Sequence, residues 1–496
     1  MQNPEVQELI AELENESPDD ELTRAYKMLA IVKNEDEIAK MIFKNRDDCH
    51  YVEEYKRWLT YDYDKLRYVL TKNNKIIRMV AKEVEKLRCQ TEALMEELRT
   101  SQKYRAEKET KELYKLLNFF EKLGNNNKLE SICKLGQSIR SISAAELNQN
   151  RGYITVKNGI LNLRTGELIT DTEECIRQKD TYQAPVCFDI SKNNCEWHVF
   201  LNDTFRDESL RRYIQVYFGS LLLGNPVEQV MHFLHGHGGE GKGVFLDTIR
   251  ACFGDYAASM RTEAINDCRF ESSNAATPEI AKLPGKRLVT ASEGKERAVL
   301  NLALVKQITG QNTVSARPNY GDPFEFKFSC GLVVETNFLP QIKENDFATW
   351  RRIRVIPFLH RVKPEKIDKH LREKLLRELD GIFKWLVEGA QLYLKEGLPK
   401  CSLITEATEE YRNDSDPLTA FITGYIKPQS GGKVKMLDLF SKYCEYCRDN
   451  YHWHVSMKRF SRELENRGFE KRRYSEGVMV IGVKKDYSFF NPACVD

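Results

Sequence analysis

The residues best equipped for chemistry stand in one run, Gly236-His237-Gly238-Gly239-Glu240-Gly241-Lys242-Gly243-Val244. Its G-x-x-x-x-G-K spacing is that of a phosphate-binding loop. Gly236, Gly238, Gly239 and Gly241 allow a backbone curl around phosphate oxygens that side chains would block. Loop N–H groups and a following helix N-terminus then offer partial positive charge to a triphosphate. Lys242 adds a full charge at the β and γ phosphates. Gly243 stands where a Ser or Thr hydroxyl usually holds Mg²⁺.

Three further groups complete a phosphoryl-transfer set. Glu293 follows a β-rich run, KRLVTASEG, where a strand-tip carboxylate polarises water and helps to hold a metal ion. Asn337 ends a second apolar run, CGLVVETN, and places an amide where it senses the γ-phosphate or orients water. Arg351, Arg352 and Arg354 lie in DFATWRRIRVIPF, and in a ring of subunits such an arginine reaches the neighbour's triphosphate. Between these blocks, TVSAR and FEFKF flank a turn-rich tip, predicting a hairpin. Arg317, Asn319 and Tyr320 at that tip supply a cation for phosphate and a ring for stacking.

These groups need a scaffold. A short apolar run before Gly236 and a helical pattern after Lys242 predict strand, loop and helix, and from 229 to about 360 strands and helices alternate. Residues 206–365 are therefore expected to form an α/β core with a central parallel sheet. Residues 1–145 are expected to be a helical region, because the first 123 residues contain no glycine and only two prolines. Apolar side chains at helical spacing (Ile76, Val80, Val84, Leu87, Leu94) support this. The alternation in YITVKNGILNLRTGELI predicts a small α+β domain over 146–205. Residues 366–415 read as a helical linker or lid. Residues 416–496 read as three helices and a hairpin, a winged-helix-like domain. Its 451–485 stretch carries nine basic side chains, Arg459, Arg472 and Arg473 among them, against four acidic ones. That is the electrostatic footprint of nucleic acid binding.

Composition bounds the rest. At 496 residues about three domains are expected. No apolar run approaches the roughly 18–20 residues that span a bilayer. The polar, acidic N-terminus suggests no signal peptide, so no membrane partner and a cytoplasmic location in a host cell are expected. Thirteen scattered cysteines read as reduced thiols. Cys444 and Cys447 sit within a helical pattern and lack a second zinc-ligand pair. A net charge of +2 leaves any DNA contact to local patches.

Taken in order, GHGGEGKGVFL, KRLVTASE, VKQITGQNTVSAR, LVVETNFLP and DFATWRRIRVIPF resemble the blocks of superfamily 3 helicases. The similarity is to the virus, phage and plasmid primase-helicase branch with a poxvirus-type member, and it covers roughly 150–486. The resemblance implies an AAA+ motor, usually a homohexameric ring, that uses ATP and Mg²⁺ to move on single-stranded or forked DNA. By that resemblance Lys242 binds phosphate, Glu293 activates water and binds metal, Asn337 is the sensor, and Arg351 or Arg352 is the trans finger. Lys306 and the Arg317–Tyr320 hairpin would grip DNA in the pore. A separate primase or other replication protein is the implied further partner. Gly243 and Ser292 depart from the commoner metal ligands, and Glu240 replaces a common Asn, which predicts slow hydrolysis. A second reading therefore stays open: a nucleotide-dependent DNA-binding ring, an origin initiator or assembly factor, without processive unwinding.

Overall fold

The computed structural model describes residues 34–100, 106–225, 228–266, 277–292, 298–310, 312–317, 319, 323–342, 347–450 and 454–486. The chain divides into two units, Met1–Phe188 and Asp189–Asp496.

In the first unit, helix Glu35–Phe43 precedes strands β1 (Cys49–Val52), β2 (Arg57–Asp62) and β3 (Arg67–Thr71). Helices Asn73–Thr100, Ala106–Leu123 and Asn126–Ile139 follow. β4 (Ser141–Ile142) then closes a sheet of order β3-β2-β1-β4. A second antiparallel sheet joins β5 (Tyr153–Val156), β6 (Gly159–Asn162) and β7 (Leu168–Ile169). Ile76, Val80 and Val84 are buried against Leu113, Phe120, Leu129 and Ile132, so the helical stripe packs as a core.

The expectation of helices almost throughout 1–145 is corrected by β1 to β4. The absence of glycine misled it. Lys56 and Leu66 both take left-handed φ values of 50° in the turns that join β1, β2 and β3. Each pays about 1–2 kcal/mol for a conformation glycine adopts freely. The strands themselves were marked by aromatic and β-branched residues in RWLTYD and RYVLT. The expected boundary at 145/146 also gives way. Val52, Leu59, Tyr61 and Tyr68 share a core with Ile142, Leu147, Ile160 and Cys175, and the division falls after Phe188.

The second unit opens with helices Cys195–Thr204 and Glu208–Leu221. Its central sheet comprises β8 (Met231–His235), β9 (Ala257–Arg261), β10 (Leu288–Ser292), β13 (Gly331–Thr336) and β14 (Ile353–Pro357). The order is β14-β8-β13-β10-β9, and every neighbouring pair is parallel. Apolar runs such as MHFL and LVV suit strands covered on both faces. β9 escaped the sequence reading: AASMR is short and weakly apolar, as an edge strand can be. β11 (Thr313–Ala316) and β12 (Phe324–Lys327) form the expected antiparallel hairpin.

Helix Leu379–Glu396 lies against helix Glu208–Leu221. Their backbones approach so closely at Gly219 and Gly389 that a Cβ on either would strike the other helix. Helix Ser402–Asp414 follows and seats Thr408 on β14. Helices Pro417–Tyr425, Met436–Asp449 and Met457–Asn466 then surround a sheet of order β15-β17-β16, formed by β15 (Ile426–Lys435), β16 (Lys471–Tyr474) and β17 (Gly477–Lys485). β15 is an addition to the expected hairpin.

Candidate nucleotide site

β8 lies inside the sheet, between β14 and β13, so the glycine-rich loop leaves from mid-sheet at the carboxyl ends of the strands. Ligands of parallel α/β sheets bind at that edge. Gly238, Gly239 and Gly241 take φ values of 109°, 83° and 87°, and helix Lys242–Phe253 begins directly after them. Gly241, its N-cap, brings no side chain to the first-turn N–H groups, which stay directed along the helix axis. The helix is fixed from behind by Phe245, fully buried among Trp197, Phe205, Phe218 and Phe358.

Two opposite charges are buried in the loop. Glu240 is 4% exposed and Lys242 is 5% exposed. Glu240 Oε2 accepts from Lys242 Nζ at 2.9 Å and from the Gly238 N–H at 2.8 Å, while Oε1 accepts from the His237 N–H at 2.8 Å. Burial pulls this carboxyl upward, but the Lys242 ammonium and the Gly238 N–H outweigh it and hold it below the usual range. The carboxylate thus takes the lysine and the N–H groups that a phosphate would take. The loop already binds an anion of the chain's own.

The segment after β14 braces the loop. Phe358 N–H donates to the His235 carbonyl at 2.7 Å, and Val362 N–H to the Gly239 carbonyl at 3.0 Å. This brings exposed Arg361 to the loop, its Nε 3.3 Å from where a Gly239 Cβ would stand. On the other side, β13 is in register with β8, pairing Thr336 with His235. Exposed Asn337 therefore emerges beside the loop, where its backbone partly offsets the burial and the His237 charge that lower the His235 pKa.

Arg361 and Glu335, whose Oε1 lies 3.4 Å from where a Gly243 Cβ would stand, are residues at the loop that the sequence reading passed over. Arg361 was detectable, because a residue just past a parallel strand emerges at the same edge as the loop. Glu335 stood inside a quoted block and was overshadowed by Asn337.

The remaining candidates are placed as follows. Glu293 and Tyr320 lie outside the described residues; Ser292, which precedes Glu293, ends β10 at the loop edge. Arg351 and Arg352 precede β14, whose Ile353 pairs with Met231 and Pro357 with His235. They therefore lie at the opposite edge of the sheet, about 17 Å from the loop at 3.3 Å per residue. Arg351 is exposed, and Arg352 Nη1 donates to the Ala348 carbonyl at 2.5 Å. Half-buried Lys306 is in helix Leu302–Thr309, while exposed Arg317 and Asn319 are at the β11–β12 hairpin.

The C-terminal arginines separate. Arg459 is exposed on helix Met457–Asn466. Arg472 and Arg473 occupy successive positions of β16, so they face opposite sides of the sheet. Across β17, Arg472 and Lys435 flank Met479, and Lys433 Nζ lies 4.7 Å from the Tyr474 ring centroid. Lys433 and Lys435 join Arg472 and Tyr474 on the outer face, while Val434 and Val480 turn inward and are buried. The lysines were missed because β15 was.

Among the described residues no group of three or more His, Cys, Asp or Glu side chains could hold a metal ion. Cys444 and Cys447 share helix Met436–Asp449, with Cys447 buried. No helix among the described residues is long and apolar enough to cross a membrane.

Comparison with known proteins places these features in a lineage. Residues 38–206 match the D5 N terminal like family, and residues 234–352 match a family of unknown function, DUF5906. A protein of Acanthamoeba polyphaga mimivirus with a helicase name is 29% identical over 326 residues, 62% of this chain and 34% of that protein. A protein of Frog virus 3, also with a helicase name, is 33% identical over 163 residues, 32% of this chain and 17% of that one. The chain thus spans about a third or less of the length of these relatives. The apo structure of the NrS-1 C-terminal region aligns at a TM-score of 0.38 and 14% identity, over 62% of this chain and 80% of that one. By its D5 N-terminal-like region and its helicase-named viral relatives, the chain is similar to viral superfamily 3 helicase-type proteins.

Proposed function

We propose that the chain is an ATP-dependent DNA helicase subunit that acts in replication as an AAA+-type ring on single-stranded DNA. The observation that carries this reading is the buried Glu240–Lys242 pair within a glycine loop at the carboxyl edge of a parallel sheet. A lysine is kept 5% exposed, behind a glycine-rich loop, where a polyphosphate can replace its partner. Lys242 and the loop N–H groups bind the β and γ phosphates, with Arg361 beside them. Glu293 orients the attacking water and Asn337 senses the γ-phosphate. Mg²⁺, when bound, neutralises phosphate charge. Gly243 offers it no side-chain oxygen, and the Glu293 carboxylate is the donor that the resemblance implies.

The position of Arg351 and Arg352 supports assembly. About 17 Å of strand separates them from their own loop, so any action on a triphosphate must be on that of a neighbouring subunit. Lys306, Arg317, Asn319 and Tyr320 then face DNA in the pore. The outer face of Lys433, Lys435 and Arg472 forms a second contact on a winged-helix-like domain. A hexamer, and a primase or other replication protein as partner, complete the proposal.

The test is fork unwinding by purified protein with ATP, alongside Lys242→Ala. Unwinding that survives the substitution removes the reading. The second reading, an initiator or assembly ring without processive unwinding, draws on the Glu240 carboxylate in the phosphate cradle. Stable ATP-dependent rings that release no phosphate on single-stranded DNA would favour it.

A further inference from the structure

We propose that Arg361 captures the phosphates of an incoming nucleotide for its own subunit, before Glu240 gives up Lys242; this rests on the nucleotide reading above and deepens it. The chain itself sets Arg361 at the loop. Phe358 and Val362, on either side of it, donate N–H groups to the His235 and Gly239 carbonyls. The side chain then runs along the loop backbone: Cγ, Cδ and Nε lie 3.5, 3.9 and 3.3 Å from where a Gly239 Cβ would stand. At the preceding Gly238 a Cβ would meet nothing within 4 Å, so the loop is open beside the arginine. The Gly238 N–H at that opening is one of the donors that hold Glu240 Oε2.

Charge gives the arginine its task. Lys242 is 5% exposed, and Glu240 Oε2 lies 2.9 Å from its Nζ. The pair sums to no net charge, so it draws an anion from solution only weakly. Arg361 is exposed and, among the described residues, has no hydrogen-bond or ion-pair partner. Its full charge therefore acts on the water beside the loop. A planar guanidinium grips phosphate oxygens through two parallel N–H bonds. A phosphate held there stands beside the loop N–H groups and can then displace the Glu240 carboxylate from Lys242. The two cations divide the work. Arg361 sets how fast nucleotide arrives and Lys242 how long it stays, as exposed and buried charges do at interfaces. Arg351 and Arg352 cannot share this role, because they lie at the far edge of the same sheet.

The experiment follows binding of a fluorescent ATP analogue to the full chain by stopped-flow, across a range of salt concentrations. The variants are Arg361→Ala, Arg361→Lys and, as a control, Lys395→Ala. Lys395 is an exposed cation in the last turn of helix Leu379–Glu396, where Tyr393 donates to Glu228 ahead of β8, away from the loop. Arg361→Ala is expected to lower the association rate constant about tenfold at low salt and to flatten its salt dependence. Arg361→Lys should keep most of the rate, since the charge remains. Lys395→Ala should stay within about twofold of the unsubstituted chain, since only charge near the loop steers the ligand. An association rate in Arg361→Ala within about twofold of the unsubstituted chain overturns the proposal alone. So does an equal loss in Lys395→Ala, which would make the effect one of net charge, or an equal loss in Arg361→Lys, which would mean that charge is not what acts. If the unsubstituted chain binds no analogue at any salt concentration, the nucleotide reading fails and this proposal falls with it.

Discussion

The sheet of β1 to β4 and the glycine loop after β8 bury titratable groups in opposite ways. In the first, buried His50 is kept neutral: burial, with repulsion from Arg140 and Lys179, pushes its imidazole down to about 4. Burial likewise pushes the Cys49 thiol up to about 12 and raises Tyr61 and Tyr68. These groups are packing, and they give up charge to be inside. In the glycine loop Glu240 and Lys242 are equally buried as each other's partner, and the Glu240 carboxyl is held below its usual range. A neutralised buried group needs no ligand. An ion pair on a glycine-rich loop suits the proposed phosphate seat, because either member can be exchanged for an outside ion. The basic face of β15 and β16 is a third arrangement, with exposed charges that bury nothing.

The largest expected effect separates the pair from the packing groups. Lys242→Ala leaves Glu240 buried without its cation, which should cost about 3–5 kcal/mol of stability. Nucleotide binding should be lost with it. A double variant, Glu240→Ala with Lys242→Ala, should regain stability but not binding. Thermal denaturation beside nucleotide titration checks both, and an unaltered melting temperature for Lys242→Ala would break the contrast.

Next in size is the acid response of His50. Its folded pKa is depressed from about 6.5 to about 4, so the unfolded chain takes up a proton that the folded chain refuses. Stability is full above about pH 7 and falls by up to about 3 kcal/mol as pH drops from 6.5 to 4. His50→Gln should flatten that slope, measured by urea denaturation across this range. An unchanged slope would assign the acid response to other groups.

A smaller effect sharpens the idea of an exchangeable partner. Glu240→Ala frees the lysine and two loop N–H groups for phosphate, so ATP affinity should rise about tenfold, near 1.4 kcal/mol. Calorimetric titration reads this directly. Equal affinities would mean that the carboxylate leaves its cradle at no cost.

The smallest effects belong to the exposed face. Replacing Lys433, Lys435 or Arg472 singly by Ala should weaken single-stranded DNA binding only a few-fold. Each should lower the salt dependence by about one counterion. Loss of folding on any of these changes would show that the face is structural.

Much of the loop side was legible from residue order. Glycines at fixed spacing after an apolar run specify strand, curl and helix through local conformational limits, and β8, the loop and helix Lys242–Phe253 follow that plan. The hairpin of β11 and β12 was equally local. What failed was argument from absence: without glycine, 49–71 looked helical, yet Lys56 and Leu66 make the turns because strand pairing and burial compensate their strain.

Sequence by itself determined the glycine loop after β8, the helix that follows it and the lysine at its head, since all three follow from neighbours along the chain. Only the tertiary structure decided what surrounds the loop. Parallel pairing of β8 with β13 and β14 draws Glu335, Asn337 and Arg361 to one edge and leaves Arg351 and Arg352 at the other. Those residues lie about a hundred positions from the loop, and no local rule spans that distance; strand order and register do.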